Sequence, residues 1–95
     1  MTKTLVLLVE GNQCFYAADG KCIASLHGLE DALGKMDDNT FHHHVNDARN
    51  DFASWVHDVL LDTELASQLK EAKDRKTAHI VVLKRMICLI KGVAE

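Results

Sequence analysis

The chain has 95 residues, of which 47% are hydrophobic and 26% are charged, and this composition excludes a disordered or fibrous protein. Its formal net charge of −3 argues against a dominant phosphate-binding role, and Glu71 and Asp74 dilute the basic cluster that begins at Lys70, so we expect no nucleic-acid partner. The length predicts a single domain over residues 1–95, with a core small enough for association to add stability.

The N-terminal segment predicts the first strand of a short β-meander. The apolar run from Thr4 to Val9 is rich in strand formers and is followed by Gly11-Asn12, which is typical of a strand buried on both faces. The apolar residues from Leu5 to Val9 are too few for a membrane span or a signal peptide. We therefore expect no membrane partner.

Asp19-Gly20 is a strong hairpin signal and predicts two strands, one on each side of it. A three-residue loop with Gly20 left-handed gives two facing pairs, Phe15 with Ile23 and Tyr16 with Cys22. Cys14 then lies diagonal to Cys22, whereas a two-residue loop would turn these two thiols to opposite faces.

The cysteines predict free thiols and a cytoplasmic protein. Cys14, Cys22 and Cys88 are odd in number and have no disulfide-framework spacing. A disulfide needs Cα atoms within about 7 Å and converging Cβ vectors, which neither hairpin register guarantees.

Four or five helices are predicted after the hairpin, each from a capping residue and apolar residues at helical spacing. Ser25 is the expected cap of the first, whose apolar face is Leu26, Leu29, Leu33 and Met36, with Gly34 weakening its end. A turn over Asp37-Asp38-Asn39 precedes a short helix that carries Phe41, His44 and Val45. Asn50 or Asp51 caps the next, with the apolar stripe Phe52, Trp55, Val56, Val59 and Leu60. Asp62-Thr63-Glu64 begins another, which buries Leu65, Ala66 and Leu69.

The final segment, Ala78 to Lys91, is apolar almost all round. Two interpretations stay open: a central core helix, or a self-association face. We expect a homo-oligomer with an interface at Val82, Met86 and Leu89, and another protein is a possible partner. The C-terminal helical segment, about residues 70–93, either continues the preceding helix or begins after a break near Thr77. The β-branched run from Ile80 to Leu83 also permits a strand.

The most distinctive residues lie between Phe41 and Val56, where F-x-x-H-V-N is followed by N-D-F-A-x-W-V. Together with Phe15, the Asp19-Gly20 hairpin and the S-L-x-x-L helix start at Ser25, this signature resembles a small uncharacterised prokaryotic domain family. The resemblance covers about residues 14–69. It implies this organisation and no particular reaction.

The adjacent histidines His42 to His44 raise a metal hypothesis, because imidazole is a common ligand for zinc, copper and nickel. Consecutive helical residues point about 100° apart, so all three cannot converge on one ion. A metal site would instead pair His43 or His44 with a partner such as Asp47, or recruit Cys14, Cys22 or His57 from elsewhere in the chain. No H-x-x-x-H or C-x-x-C spacing is present. We expect one structural histidine, two surface histidines, and no metal or other cofactor.

His44, Asn46, Asn50 and Asp51 also permit a catalytic His/Asp interpretation, but no serine or cysteine nucleophile has motif context nearby. We expect instead a capping network at the start of the Trp55 helix. Trp55 is expected in the core, with a ligand or partner anchor as the alternative.

The sequence thus predicts an α+β fold: an N-terminal β-meander of two or three strands, four or five helices, and a long C-terminal helix. The expected function is a non-enzymatic, self-associating interaction module. Its structural signature residues are Phe41, His44, Asn50, Asp51, Phe52 and Trp55. A metal- or small-ligand-binding sensor that uses His42 to His44 is the alternative, and a hydrolytic enzyme is third.

Overall fold

The computed structural model describes residues 9–92 and has the predicted α+β fold. A short 3-10 helix, Gly11–Gln13, precedes a two-stranded antiparallel sheet, and five α-helices follow the sheet. The strand predicted from Thr4 to Val9 lies outside the described residues except for Val9, whose amide donates to the carbonyl of Ala24 at 2.9 Å.

The hairpin has the register that the three-residue loop predicts. Strand β1 is Phe15–Tyr16 and strand β2 is Cys22–Ile23, and the pairs are Phe15 with Ile23 and Tyr16 with Cys22. Gly20 has a φ of 92°, a left-handed conformation that glycine adopts without steric cost. The loop therefore fixes which hairpin face is buried: Phe15 and Ile23 point into the core, and Tyr16 and Cys22 are exposed.

Each α-helix begins at a side chain that accepts a hydrogen bond from an amide three residues further on. The helices are α1 (Leu26–Lys35), α2 (Asp38–His44), α3 (Asp51–Trp55), α4 (Thr63–Lys70) and α5 (Arg75–Lys91). Their caps, in order, are Ser25, Asp37, Asn50, Asp62 and Asp74. The amides of Thr40 and Thr77 hold the pKa of the Asp37 and Asp74 carboxyls below the usual range.

The helix that begins at α3 widens after one turn. A π-helical segment, Val56–Leu60, continues it and ends at Leu61, whose φ of 61° is left-handed. The apolar stripe predicted for this helix keeps its inward direction, since Phe52, Trp55, Val56 and Leu60 are all buried. The change from α to π geometry does not follow from the apolar spacing, which both geometries accommodate.

The last two helices are separate. Residues 71–74 break the chain between α4 and α5, and the cap of α5 is Asp74; Thr77 instead donates its amide and its hydroxyl to that carboxylate. The segment from Ile80 to Leu83 is helical throughout. Helix α5 ends at Gly92, whose left-handed φ of 71° is common after a helix C-terminus.

Helix α5 lies against α1 and α4 and completes one apolar core. Gly34 permits a close approach to α5, because a Cβ at this position would lie 3.0 Å from Cε1 of His79. Val82 is fully buried and Met86 is 9% exposed, both within the chain's own core, and Leu89 packs partly against it. Of the three residues predicted at an interface, Val82 and Met86 are therefore already covered within the chain, and the prediction for the partly buried Leu89 stays a prediction. The exposed side of α5 is formed by other residues.

Candidate functional site

The signature residues converge on one aromatic cluster beneath the hairpin. Phe52 stacks on Phe15 with ring centroids 4.9 Å apart and on Phe41 at 5.8 Å. Trp55 packs edge-on against Phe15 at 6.1 Å, and its indole N–H donates to the carbonyl of Gln13 at 2.8 Å. The single tryptophan is thus buried, as expected, and its one polar atom is satisfied by the segment before β1.

His44 is the polar member of this cluster. Only 6% of it is exposed, and its ring contacts Phe15 and Phe52 at centroid distances of 4.9 and 5.3 Å. The amide of Ala18 donates to Nε2 at 3.0 Å, so Nε2 carries no proton. Nδ1–H therefore donates to Oδ2 of Asp51, 2.9 Å away. These two bonds attach the hairpin loop to the start of α3.

Asp51 connects the histidine to the loop that follows it. Nε of Arg49 lies 3.2 Å from the same Oδ2, and a terminal guanidinium nitrogen of Arg49 donates to the carbonyl of His43 at 2.6 Å. Asp51 therefore serves as an anchor for His44 and Arg49, and it does not cap α3.

Asn50 is the cap of α3 and also links two helices. Its side-chain oxygen accepts from the amide of Ala53 at 3.0 Å, and its NH₂ group donates to the carbonyl of Leu69 near the end of α4 at 3.0 Å. The capping network expected from the sequence thus rests on Asn50, while Asp51 holds the histidine.

The chemistry available to His44 follows from these bonds. A general base needs a free ring lone pair, and the lone pair on Nε2 already accepts the Ala18 amide. His42 and His43 are exposed. Among residues 9–92, no three His, Cys, Asp or Glu side chains form a group that could hold a metal ion.

A cleft of about 340 Å³ opens between the loop after α2 and the turn after α4. Its charged lining includes the cations Arg49, Lys70 and Lys73 and the anions Asp47 and Glu71. Because the Arg49 guanidinium is paired with Asp51, the remaining charges balance and give the cleft no preference for one sign of ligand.

A second candidate surface lies on α5 and is made of residues that the predicted interface did not include. Four large aliphatic side chains are exposed there, Ile80 by 51%, Leu83 by 36%, Ile87 by 51% and Ile90 by 61%. We call these four residues the exposed stripe. Their spacing of three, four and three residues was a usable signal in the sequence, but the inward residues of α5 are equally apolar and obscure it.

The comparisons with known proteins place the chain in a family. A model described as a family of unknown function, DUF5752, matches residues 10–92. The chain belongs to this family. The match includes the hairpin, the signature and α5, so it extends beyond the stretch of about residues 14–69 that the resemblance covered. No curated protein and no solved structure matches the chain. Within the described residues, no helix has the length and apolar character that crossing a membrane requires.

Proposed function

We propose that this domain is a non-enzymatic interaction module that forms a homodimer through the exposed stripe of α5. The observation that carries the proposal is the stripe itself: four large aliphatic side chains in one line, each at least 36% exposed, on a helix whose other side is core. Contiguous apolar surface of this kind marks interaction sites in soluble proteins.

The spacing of the stripe favours another helix as its partner. Ile80, Leu83, Ile87 and Ile90 occupy the a and d positions of a heptad, which is the pattern of a seam between two packed helices. The same stripe on a second copy supplies the matching helix without any further component. Symmetric pairing of one surface with itself is the commonest form of protein assembly.

Charges on the two edges of the stripe support a second copy in a parallel orientation. Lys84 and Lys91 follow Ile80 and Ile87 by four residues and lie along one edge. Helix α1 borders the other edge, where Glu30 accepts from Nε2 of His79 at 2.9 Å and Asp31 pairs with Lys35 at 3.1 Å. Two parallel α5 helices related by a twofold axis place the lysine edge of each copy beside the α1 edge of the other, where the carboxylates are already paired. An antiparallel pair would instead bring like charges together.

The test is the dependence of solution mass on concentration, measured by light scattering and sedimentation. Covering the exposed half of an isoleucine contributes about 1 kcal/mol, and a symmetric dimer loses this contribution twice. Ile87→Ala should therefore weaken the dimer by about 2 kcal/mol, or roughly thirtyfold in Kd. Since Ile87 is half exposed in the single chain, the circular dichroism of the Ile87→Ala variant should match that of the wild type.

Leu61→Ala is the matched control, because Leu61 is an aliphatic residue with 76% exposure in a different element. It should leave the dimer unchanged. A wild-type chain that stays monomeric at tens of micromolar, or a dimer that Ile87→Ala does not weaken, contradicts the proposal.

Cross-linking distinguishes the two orientations. In a chain whose native cysteines are replaced by serine, Ile80→Cys should form a disulfide with its own copy in the parallel dimer. An antiparallel dimer would require Ile80→Cys together with Ile90→Cys.

We place the module in the cytoplasm, since all three native thiols are unpaired.

A further inference from the structure

The outer face of the hairpin gathers both of its cysteines around one tyrosine. Tyr16 and Cys22 are paired across the two strands, and both are exposed. Cys14 precedes Tyr16 by two residues and therefore lies on the same side of the strand, diagonal to Cys22. The facing pair Phe15 and Ile23 occupies the buried side.

The three side chains interact with one another. A hydrogen bond with Cys22, then burial, then the charge of Cys22 raise the pKa of the Cys14 thiol. The charge of Cys22, then burial and the charge of Cys14, raise the pKa of Tyr16, whose hydroxyl donates to the carbonyl of Gly11 at 2.8 Å. The strand register places the two thiols as diagonal neighbours on one face. Sγ of Cys14 donates to the carbonyl of Glu10 at 3.7 Å, and both thiols are free of disulfides.

We propose that Cys14 and Cys22 form a dithiol modification site that low-molecular-weight disulfides oxidise to an intrachain disulfide. The exposed Cys22 reacts first: its thiolate attacks one sulfur of the small disulfide, and a mixed disulfide forms as the first small thiolate leaves and takes up a proton. The thiolate of Cys14 then attacks Sγ of Cys22, and the second small thiol is released. The protein loses two electrons and two protons, and the small disulfide is reduced to two thiols.

The backbone around Cys14 leaves room for the bond to close. Diagonal neighbours in a hairpin have Cα atoms about 7–8 Å apart, slightly beyond the distance at which disulfides usually form. Cys14 precedes the first paired residue, Phe15, and its amide donates to Gly11 at 3.4 Å and not to β2. The carbonyl of Ala24 is instead occupied by the amide of Val9. A small movement of Cys14 therefore breaks no bond between the strands.

Formation of the disulfide between Cys14 and Cys22 is expected to affect the signature through Gln13, the residue before Cys14. The carbonyl of Gln13 accepts the indole N–H of Trp55, so a movement of Cys14 changes the surroundings of the only tryptophan. Tryptophan fluorescence then reports closure independently of thiol chemistry.

The experiment treats the full chain with glutathione disulfide and counts thiols after denaturation under non-reducing conditions. We expect the wild-type chain to lose two of its three thiols without retaining glutathione, peptide mapping to join residues 14 and 22, and the fluorescence of Trp55 to shift. Dithiothreitol should restore all three thiols and the original fluorescence.

Single variants separate the two steps. Cys14→Ser should stop at a stable mixed disulfide on Cys22, and Cys22→Ser should lose the rapid first reaction. Cys88→Ser is the matched control, because Cys88 lies on α5, and it should close the hairpin bond as the wild-type chain does. Three unreacted thiols, persistent glutathione on Cys22 in the wild-type chain, or a bond between two chains would each overturn the proposal.

Discussion

The cap of α4 is also half of an ion pair, and its removal tests both roles. Oδ1 of Asp62 accepts from the amide of Leu65 at 3.0 Å, and Oδ2 accepts from Nε of Arg85 at 2.8 Å. The side chain of Asp62 is 6% exposed and that of Arg85 is 22% exposed. Burial alone would lower the pKa of Arg85, but the hydrogen bond and charge of Asp62, together with the charge of Glu64, raise it. The guanidinium therefore stays charged and needs its partner.

Asp62→Ala should cost about 3 kcal/mol of unfolding free energy. Loss of the cap accounts for about 1 kcal/mol. Loss of a fully buried partner costs about 3–5 kcal/mol, and we take about 2 kcal/mol because Arg85 is partly exposed and Glu64 lies 3.5 Å away. Asp62→Asn keeps an oxygen for the amide of Leu65 but loses the charge, so it should cost about 2 kcal/mol. At about 4–8 °C per kcal/mol, Asp62→Ala lowers Tm by roughly 12–24 °C.

Urea unfolding, followed by circular dichroism and Trp55 fluorescence, measures these differences. A double-mutant cycle of Asp62→Ala with Arg85→Met isolates the ion pair, and we expect a coupling of about 1–2 kcal/mol. A cost below about 1 kcal/mol for Asp62→Ala would refute both roles. Equal costs for Asp62→Ala and Asp62→Asn would refute the cap, and an additive cycle would refute the ion pair.

Three further predictions concern stability. Asn50→Ala should cost about 2–3 kcal/mol in urea unfolding, more than a cap alone, because the carbonyl of Leu69 also loses its donor; a cost below about 1 kcal/mol would contradict this. Leu61→Gly should raise the unfolding free energy by roughly 0.5–1 kcal/mol, since a left-handed leucine is strained and its exposed side chain packs little; a clear loss of stability would argue against that strain. The pKa of Asp74 is lower in the folded state than its unfolded value of 3.8. The contribution of Asp74 to the free energy of unfolding is therefore present above pH 3.8 and is lost as the pH falls through the lower folded pKa. Between about pH 5 and pH 2.5, the Tm of Asp74→Asn should therefore fall less than the Tm of the wild type. Asp47→Asn, which removes an exposed carboxylate that caps no helix, should behave as the wild type does. Equal falls in Tm for all three proteins would contradict the prediction.

The parts of the fold that follow from neighbouring residues were predictable from the sequence. Asp19-Gly20 marked the hairpin and narrowed its register to two alternatives, and Ser25 marked the start of α1, because turn and cap preferences act over two or three residues. The partners of His44 were not predictable in this way. The amide of Ala18 lies 26 residues earlier in the chain, and only the packing of the hairpin on α2 brings it to Nε2.

The orientation of α5 shows a second limit of local patterns. Its apolar residues cover most of the helix surface, so periodicity alone could not choose between the two sides. The choice is made by α1 and α4, which cover Val82 and Met86 and leave the line from Ile80 to Ile90 outside. The apolar residues of α5 correctly indicated that the helix carries more apolar surface than the core of one chain covers. They did not indicate which residues form that excess.

In this domain, the residues that stand out in the sequence are not the residues that are free to bind a partner. The signature stands out in the sequence because it is polar and aromatic, yet its polar atoms bind within the chain: His44 holds the hairpin loop, Asn50 holds α4, and Trp55 holds Gln13. A side chain whose donors and acceptors are already bonded can bind a ligand only by giving up those bonds. The stripe on α5 has no such cost, because its aliphatic side chains form no hydrogen bonds and gain from being covered. For this reason we propose the stripe as the surface for association and the signature as a source of stability, and mutations in the two sets should affect different measurements.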